Sequence, residues 1–364
     1  MKKIRPRQDI ELILGNSNSR FSGVTSTMLQ VAEKQKNRTS LAALGRHFVP
    51  PDIPVVGFFE LAKICKNSLP DGRQRVFHAR RNNEMIQALI LKRIFLAKIK
   101  IVFTSTAQRH HSQLTRWLIK QMDAVISTCN AAASYLEKPA DIIVPHGVDS
   151  QRYCPAENND SAWQELGLPG KYGIGLFGRV RPQKGLDLLI DAAIPLLKKY
   201  PDFTVVISGK VTTSHRPFFQ QLMDKVAAHG LEKRIVYLGE LPFEKLPTLF
   251  RAMSIVTALS RNEGFGLTVL EAMSSATAVI ATTAGAWPEI IRTDIDGHIV
   301  PCDDVEALSQ AMESLMSAPE KLPIMAKNAR LRIEQHYTIE READSLLRFF
   351  ASLQEKIQIQ EKGL

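Results

Sequence analysis

The segment Glu263-Gly264-Phe265-Gly266-Leu267-Thr268-Val269-Leu270-Glu271 sets two carboxylates eight positions apart, with glycine directly after the first. A β-type run, Ile255–Ala258, and a loop, Leu259–Asn262, lead into it, and a helical pattern starts at about Gly266–Leu267. The first N–H groups of a helix have no partner within it, so such a start suits an anionic or hydroxyl-rich ligand. Glycines beside Glu263 let a ligand approach the backbone. Glu271, further along the helix, is suited to accept from ribose hydroxyls. The same spacing also describes one loop carboxylate and one solvated helix carboxylate, so it decides nothing alone.

A second segment, Gly178-Arg179-Val180-Arg181-Pro182-Gln183-Lys184-Gly185, follows the apolar Gly175-Leu176-Phe177 and opens a helix at Leu186. Arg179 offers a planar fork of donors and Lys184 a compact charge, and both suit a diphosphate. The helix start adds the positive end of its dipole. A basic surface turn is the plain alternative. The spelling is neither GxGxxG nor a Walker sequence, which weakens the nicotinamide-dehydrogenase and P-loop readings.

The elements that must position these segments alternate along the chain. In the first half, residues 10–14, Thr39–Leu44, Val55–Phe59, Arg75–His78, Ile101–Thr104, Ala124–Thr128 and Ile142–Val144 read as strands. Helical patterns cover Val24–Ala32, Glu84–Ala97 and Ser112–Lys120. In the second half, Tyr172–Phe177, Phe203–Ser208, Arg234–Leu238, Ile255–Ala258, Ala278–Thr282 and Gly297–Val300 read as strands. Gly185–Lys198, Phe218–His229, Leu246–Ala252, Leu267–Ser274 and Val305–Ser317 read as helices between them. Such alternation predicts an α/β protein of two Rossmann-like domains with parallel sheets. The polar stretch Pro155–Ser161 marks the join, giving domains 1–150 and 151–338, with a closing helical segment 339–364. Ligands of such sheets bind outside the strand C-terminal ends, and two facing domains would form a cleft there.

Composition narrows the classes. The 364 residues are 45% hydrophobic and 23% charged, ordinary for globular chains and unlike disordered or collagen-like ones. Cys65, Cys129, Cys154 and Cys302 stand singly, as reduced thiols rather than a zinc site or disulfide framework. The basic start Met1–Asp9 is followed by no signal-type apolar core, and no run reaches a membrane-spanning length, so a cytoplasmic protein is expected. The net charge of +10 is unevenly held. Residues 1–150 carry 23 Lys and Arg against 11 Asp and Glu, and residues 151–364 carry 24 against 26. The first half therefore expects an anionic partner: a nucleic acid, an acidic glycolipid or a membrane surface. A nucleic-acid partner would want an aromatic platform or a recognisable module, and neither is present in the sequence, so no nucleic acid is expected.

Taken together and in order, these motifs make the chain resemble retaining glycosyltransferases of the GT-B fold, family 4 type. Pro145-His146-Gly147-Val148-Asp149, Gly178-Arg179 with Lys184-Gly185, Ser208-Gly209, Leu238-Gly239, the Glu263 to Glu271 segment, Ala284-Gly285 and Asp296-Gly297 carry the resemblance. Within the first half, Asn18–Thr25, Phe77–Glu84 and Gln108–Ser112 look closest to lipopolysaccharide-core mannosyltransferases.

The resemblance implies roles. Arg179 and Lys184 would grip the donor diphosphate and stabilise the departing nucleoside diphosphate. Glu271 would bind the ribose, and Gly209 would line the donor site. Glu263 with Gly264, Phe265, Gly266 and Leu267 would hold the donor sugar. Gly23 would let the backbone pass close to the diphosphate or acceptor. Such enzymes typically need no metal or other cofactor, and Asp294-Ile295-Asp296 fits an ordinary Asp-Gly turn despite its DxD spelling. Many relatives place a histidine just after the strand equivalent to Ile101–Thr104. Here Ser105-Thr106-Ala107-Gln108 stand there, leaving His110, His111 or His78 for that role.

Arg20, Arg80, Arg81 and Arg109 are the expected acceptor-binding residues, suited to a Kdo-bearing lipid A core. The implied reaction moves mannose from GDP-mannose to Kdo at the inner face of the cytoplasmic membrane. UDP-glucose, UDP-galactose or ADP-heptose are the alternative donors, and a non-catalytic anionic-lipid binder with the same fold is the rival of another class. Residues 84–100, apolar with Lys92, Arg93, Lys98 and Lys100 toward their end, are expected either to lie on an anionic membrane or to form a buried helix with a solvated basic end.

Overall fold

The structure, a computed structural model, describes residues 9–19 and 22–360, with side chains as far as Gln354. It divides into two compact units, one of residues up to Gly147 together with the helix Ile339–Gln360, the other Val148–Thr338.

The first unit is built on a parallel sheet of β1 (Leu12–Gly15), β2 (Leu41–Leu44), β3 (Val55–Val56), β4 (Arg75–Ala79), β5 (Ile99–Ser105), β6 (Ala124–Ser127) and β7 (Ile142–Ile143), in the order β3-β2-β1-β4-β5-β6-β7. Its strands β1 and β2 are continuous apolar runs because both faces are covered, which is the habit of parallel sheets. One face packs against helices Phe58–Ile64 and Asn82–Arg93. The other carries the helices Gly23–Gln35 and Ile339–Gln360. Ile339, Ala343, Leu346 and Phe350 recur every three or four residues and are all buried, so the last helix supplies core to the first unit.

Sequence and structure part company at two places in this unit. Val55–Val56 is the whole of β3, because the extended Gly57 caps a helix over Phe58–Ile64 whose Leu61 and Ala62 are buried and whose Phe59 is exposed. The helix within residues 84–100 runs Asn82–Arg93 and buries Met85, Ala88, Leu89 and Leu91. It therefore offers no broad apolar side: Ile86 is its exposed apolar residue, and a run of three follows it at Ile94, Phe95 and Leu96.

The second unit repeats the theme with β8 (Tyr172–Phe177), β9 (Phe203–Ser208), β10 (Ile235–Tyr237), β11 (Ile255–Ala258), β12 (Ala278–Thr282) and β13 (Gly297–Val300). All pair parallel in the order β10-β9-β8-β11-β12-β13. A helix absent from the sequence expectation, Leu322–His336, begins with Pro323 in its first turn, where the missing N–H costs nothing, and buries Leu322, Met325, Ala326, Ala329 and Ile333. In each sheet the strand order reverses beside the strand that comes first in the chain, between β1 and β4 and between β8 and β11. Ligand crevices of open α/β sheets lie at that reversal, outside the strand C-terminal ends. Both chemistry-bearing segments of the second unit follow β8 and β11.

Candidate active site

The loop after β8 continues that strand's pairing before it turns. Gly178 N–H donates to the Ser208 carbonyl at 2.9 Å and Val180 N–H to the Lys210 carbonyl at 3.0 Å. The crossing is close enough to require glycine at 209, where φ is 151° and a Cβ would sit 1.8 Å from the Gly178 carbonyl oxygen. Arg179, between the two bonds, is exposed and has no ion pair or side-chain hydrogen bond among the described residues. Pro182–Lys184 forms one 3₁₀ turn, after which Gly185, at φ 71°, starts the helix Leu186–Lys199.

This loop is stitched to the one after β11. Arg261 N–H donates to the Gln183 carbonyl and the Gln183 amide to the Asn262 carbonyl, both at 2.9 Å. The Arg261 guanidinium bonds Asp187 at 2.8 Å and also reaches Asp303 and the Pro182 carbonyl. The stitching brings Lys184 into an ion pair with Glu263, whose same oxygen accepts from Ser260 Oγ at 3.3 Å. An ammonium has three donors, so the pair orients Lys184 and leaves donors for a ligand. Gly264, Phe265 and Gly266 then lead into the helix Leu267–Ser274. Gly266 stands at φ 87°, and a Cβ there would meet Trp287 Nε1 at 2.3 Å; that nitrogen donates to the Gly266 carbonyl at 3.0 Å. Gly285 lies against the Phe265 carbonyl and the Glu263 stem.

Glu271 points from the same helix toward Tyr153 and Arg152. Burial pushes its carboxyl up to about 7, opposed by the Tyr153 hydroxyl and the Arg152 charge. Tyr153 is itself buried and its hydroxyl is raised above the usual phenol range, by burial first and then by Glu271.

In the first unit the expected residues separate into held and exposed groups. His78 is 1% exposed, at the end of β4. Arg80 Nη2 lies 3.1 Å from its Nδ1, and because a guanidinium only donates, Nδ1 accepts and Nε2–H donates to Thr104 Oγ1 at 2.7 Å. Burial, then Arg80 and His146, hold this ring neutral, well below the ordinary histidine value. Burial likewise lowers Arg80 to about 10, against the attraction of Glu84 and Glu342. Arg81 bonds Glu84 at 3.0 Å, Ser22 Oγ at 3.0 Å and Thr25 Oγ1 at 2.9 Å. Glu84, fully buried, also accepts from Arg80 N–H at 2.7 Å. His146 Nδ1 and Gly147 N–H both meet the Glu342 carboxylate at 2.8 Å, fixing the last turns of this unit to its closing helix.

Arg109 and His110 are exposed, His110 edge-on to Tyr135. His111 is half-buried with Nε2 3.3 Å from Ser105 Oγ, and burial, then Arg109 and His110, lower its pKa. Gly23 opens the helix Gly23–Gln35, and a Cβ there would meet nothing within 4 Å. Arg20 lies outside the described residues.

Comparison with known proteins supplies the context for this geometry. Residues 160–332 match the model of the group 1 glycosyl transferases. A lipopolysaccharide core biosynthesis mannosyltransferase of Rhizobium leguminosarum bv. viciae is 41% identical over 347 residues, covering 95% of this chain and 97% of that one. This chain belongs to the group 1 glycosyltransferases. The solved C-terminal domain of a group 1 family glycosyl transferase from Francisella tularensis is 43% identical, covers 53% of this chain and all of that one, and superposes with a TM-score of 0.52. Anabaena HepE, solved with UDP and glucose, shares the fold at 18% identity and a TM-score of 0.77, covering 94% of this chain and all of that one. The fold is GT-B.

For a glycosyltransferase the second unit offers what departure of a nucleoside diphosphate requires. Arg179 and Lys184 supply positive charge, and the uncapped start of Leu267–Ser274 supplies N–H donors. Glu271 supplies a carboxylate that ligand hydroxyls would stabilise in its ionised form. Two of the expected residues of the first unit are engaged inside the fold. His78 is buried, with Nδ1 accepting from Arg80 and Nε2–H donating to Thr104. Arg81 places three of its five N–H donors on Glu84, Ser22 and Thr25 and so links two helix starts, and Arg109 is the exposed member of the expected acceptor set among the described residues. Asp294 and Asp296 are turn residues, the first paired with His298 and the second with Arg292.

Sequence reasoning missed Arg261, Tyr153 and Trp287. Arg261 sits two residues before Glu263 and was open to suspicion as a charge in a glycine loop. Nothing local marks Tyr153 or Trp287, whose parts depend on residues more than twenty positions away.

Proposed function

We propose that this enzyme transfers mannose, with retention, from GDP-mannose to a Kdo residue of the lipopolysaccharide inner core at the inner face of the cytoplasmic membrane. The carrying observation is the 41% identity, spread over 95% of this chain, with a lipopolysaccharide core mannosyltransferase. In this reading Arg179 and Lys184 hold the diphosphate, Glu271 the ribose, and Glu263 with the following backbone the mannose. Two cations at the diphosphate take the part a divalent metal plays elsewhere, so transfer proceeds without one. Arg109, exposed on a unit rich in positive charge, favours an acceptor bearing carboxylates and phosphates.

Thermal unfolding with GDP, UDP, ADP and CDP and their sugar conjugates, in chelator, tests the donor. A ligand at about a hundred times its Kd adds roughly 2.7 kcal/mol. Stabilisation by GDP and GDP-mannose alone, followed by transfer of mannose to a Kdo-bearing lipid A acceptor, is expected. Stabilisation by a uridine or adenosine diphosphate instead would overturn the donor assignment, and dependence on added metal would overturn the two-cation reading.

A further inference from the structure

We propose that the apolar prominence formed by residues 94–96 and the start of helix Phe58–Ile64 is the surface by which this enzyme docks on an anionic lipid bilayer. Ile94 and Leu96 are 70% and 69% exposed, and Phe59 is 70% exposed. Phe58, Phe59 and Phe95 stand edge to face with ring centroids 5.7 to 6.0 Å apart, so these three rings form one body, and Ile94 and Leu96 flank Phe95 in the chain. Leu96 holds its outward position in the left-handed region, at φ 54°, which a residue with a Cβ seldom adopts. Exposed leucines or phenylalanines occurring singly need no explanation, but a packed cluster of them does.

The charges around the cluster identify its partner. Lys63 lies one helical turn from Phe59 on the same face, and Lys98 is tied by its N–H to the Cys65 carbonyl at 2.6 Å, beside Lys66. All three are exposed and none has a carboxylate partner among the described residues. Arg93, adjacent to Ile94, bonds the neutral Gln121 and no carboxylate among the described residues. Unpaired cations ringing an apolar tip match a surface that is anionic outside and hydrocarbon within. A second protein copy would bring the same cations against themselves. Most apolar residues of the helix Asn82–Arg93 are buried, Ile86 being the exposed exception.

The inference deepens the proposed reaction by naming the surface that delivers the enzyme to a lipid-borne acceptor. Nucleotide-induced thermal shifts test the donor reading separately and are expected unchanged in the variants below. The experiment is flotation of the full chain with vesicles of phosphatidylcholine alone or with phosphatidylglycerol added, at about 0.1 M salt. Binding is expected to the anionic vesicles only. The variant I94S/L96S should bind at least about tenfold more weakly, since each aliphatic group left in water forfeits roughly that factor. The variant K63E/K98E should lose roughly fivefold per charge removed, and thermal unfolding checks that both variants remain folded. Equal binding to neutral vesicles, no binding, or wild-type binding by both variants would overturn the proposal. So would a dimer in light scattering that I94S/L96S dissolves, which would assign the surface to a second copy.

Discussion

Glu271 gives the sharpest test of how the second unit is tuned. Its carboxyl is raised from 4.5 to about 7, chiefly by burial. The folded unit therefore holds this proton more tightly than the unfolded chain does. Between these two values the unfolded chain has released the proton while the native state retains it, so stability falls as pH rises through the window and the whole penalty is present above about pH 7. At 1.36 kcal/mol per decade the ceiling is about 3 kcal/mol, and water reaching the half-buried group brings the expected figure to about 1–3 kcal/mol. Gln cannot ionise and keeps the shape. Glu271→Gln should accordingly raise Tm at pH 8 by roughly 2–10 °C for a domain of this size and change it little at pH 5. The free enzyme is measured by calorimetry at both pH values. A variant less stable at pH 8, or equally displaced at both pH values, would refute the reasoning. The nucleotide response follows from the same linkage. In the proposed ribose contact, hydroxyls donating to the carboxylate would favour its ionised form, so nucleotide stabilisation of the wild type should be larger at pH 8 than at pH 6. In Glu271→Gln that difference should vanish.

Arg179→Ala should leave Tm within about 1–2 °C, since the side chain is exposed and unengaged, while lowering turnover by roughly 10²–10³ in a transfer assay. Gly209→Ala should destabilise by about 3 kcal/mol or more, because its methyl group would stand 1.8 Å from the Gly178 carbonyl oxygen at a φ of 151°; urea unfolding measures it. Arg81→Ala strips the buried Glu84 of its ion-pair partner and should cost about 3 kcal/mol by the same method. Arg109→Ala should be neutral in stability and raise the acceptor KM, with donor binding unchanged by thermal shift.

The fold was legible because its strands are short, predominantly apolar and separated by helical periods. Tyr172–Phe177, Phe203–Ser208 and Gly297–Val300 run as their patterns imply. Expectation failed where two patterns shared one stretch. Val55-Val56-Gly57-Phe58-Phe59 is apolar enough for a strand, but an extended Gly57 divides it and the following residues bury at helical spacing. The helix Leu322–His336 stands outside the expected elements, and its Pro323 falls in the first turn, where proline is permitted.

The candidate site was legible to a lesser degree, for a physical reason. A loop at a strand end is constrained locally: the glycines of 178, 185 and 266 all stand at positive φ, and the residues between them must face whatever the loop meets. Charge carries no such local record. Arg80, Arg81 and Arg109 are the same side chain in neighbouring motifs, yet two lie within the unit around the buried Glu84 and one stands in solvent. What separates them is whether an acid arrives from elsewhere in the chain to balance them. Glu84 comes from the next helix and Glu342 from a helix some 260 residues later, brought close enough for its charge to act on Arg80. Arg179 shows the converse. It resembles the others in sequence, but no carboxylate among the described residues reaches it, and a guanidinium left uncompensated at a sheet's reversal point is what the proposed diphosphate contact would require.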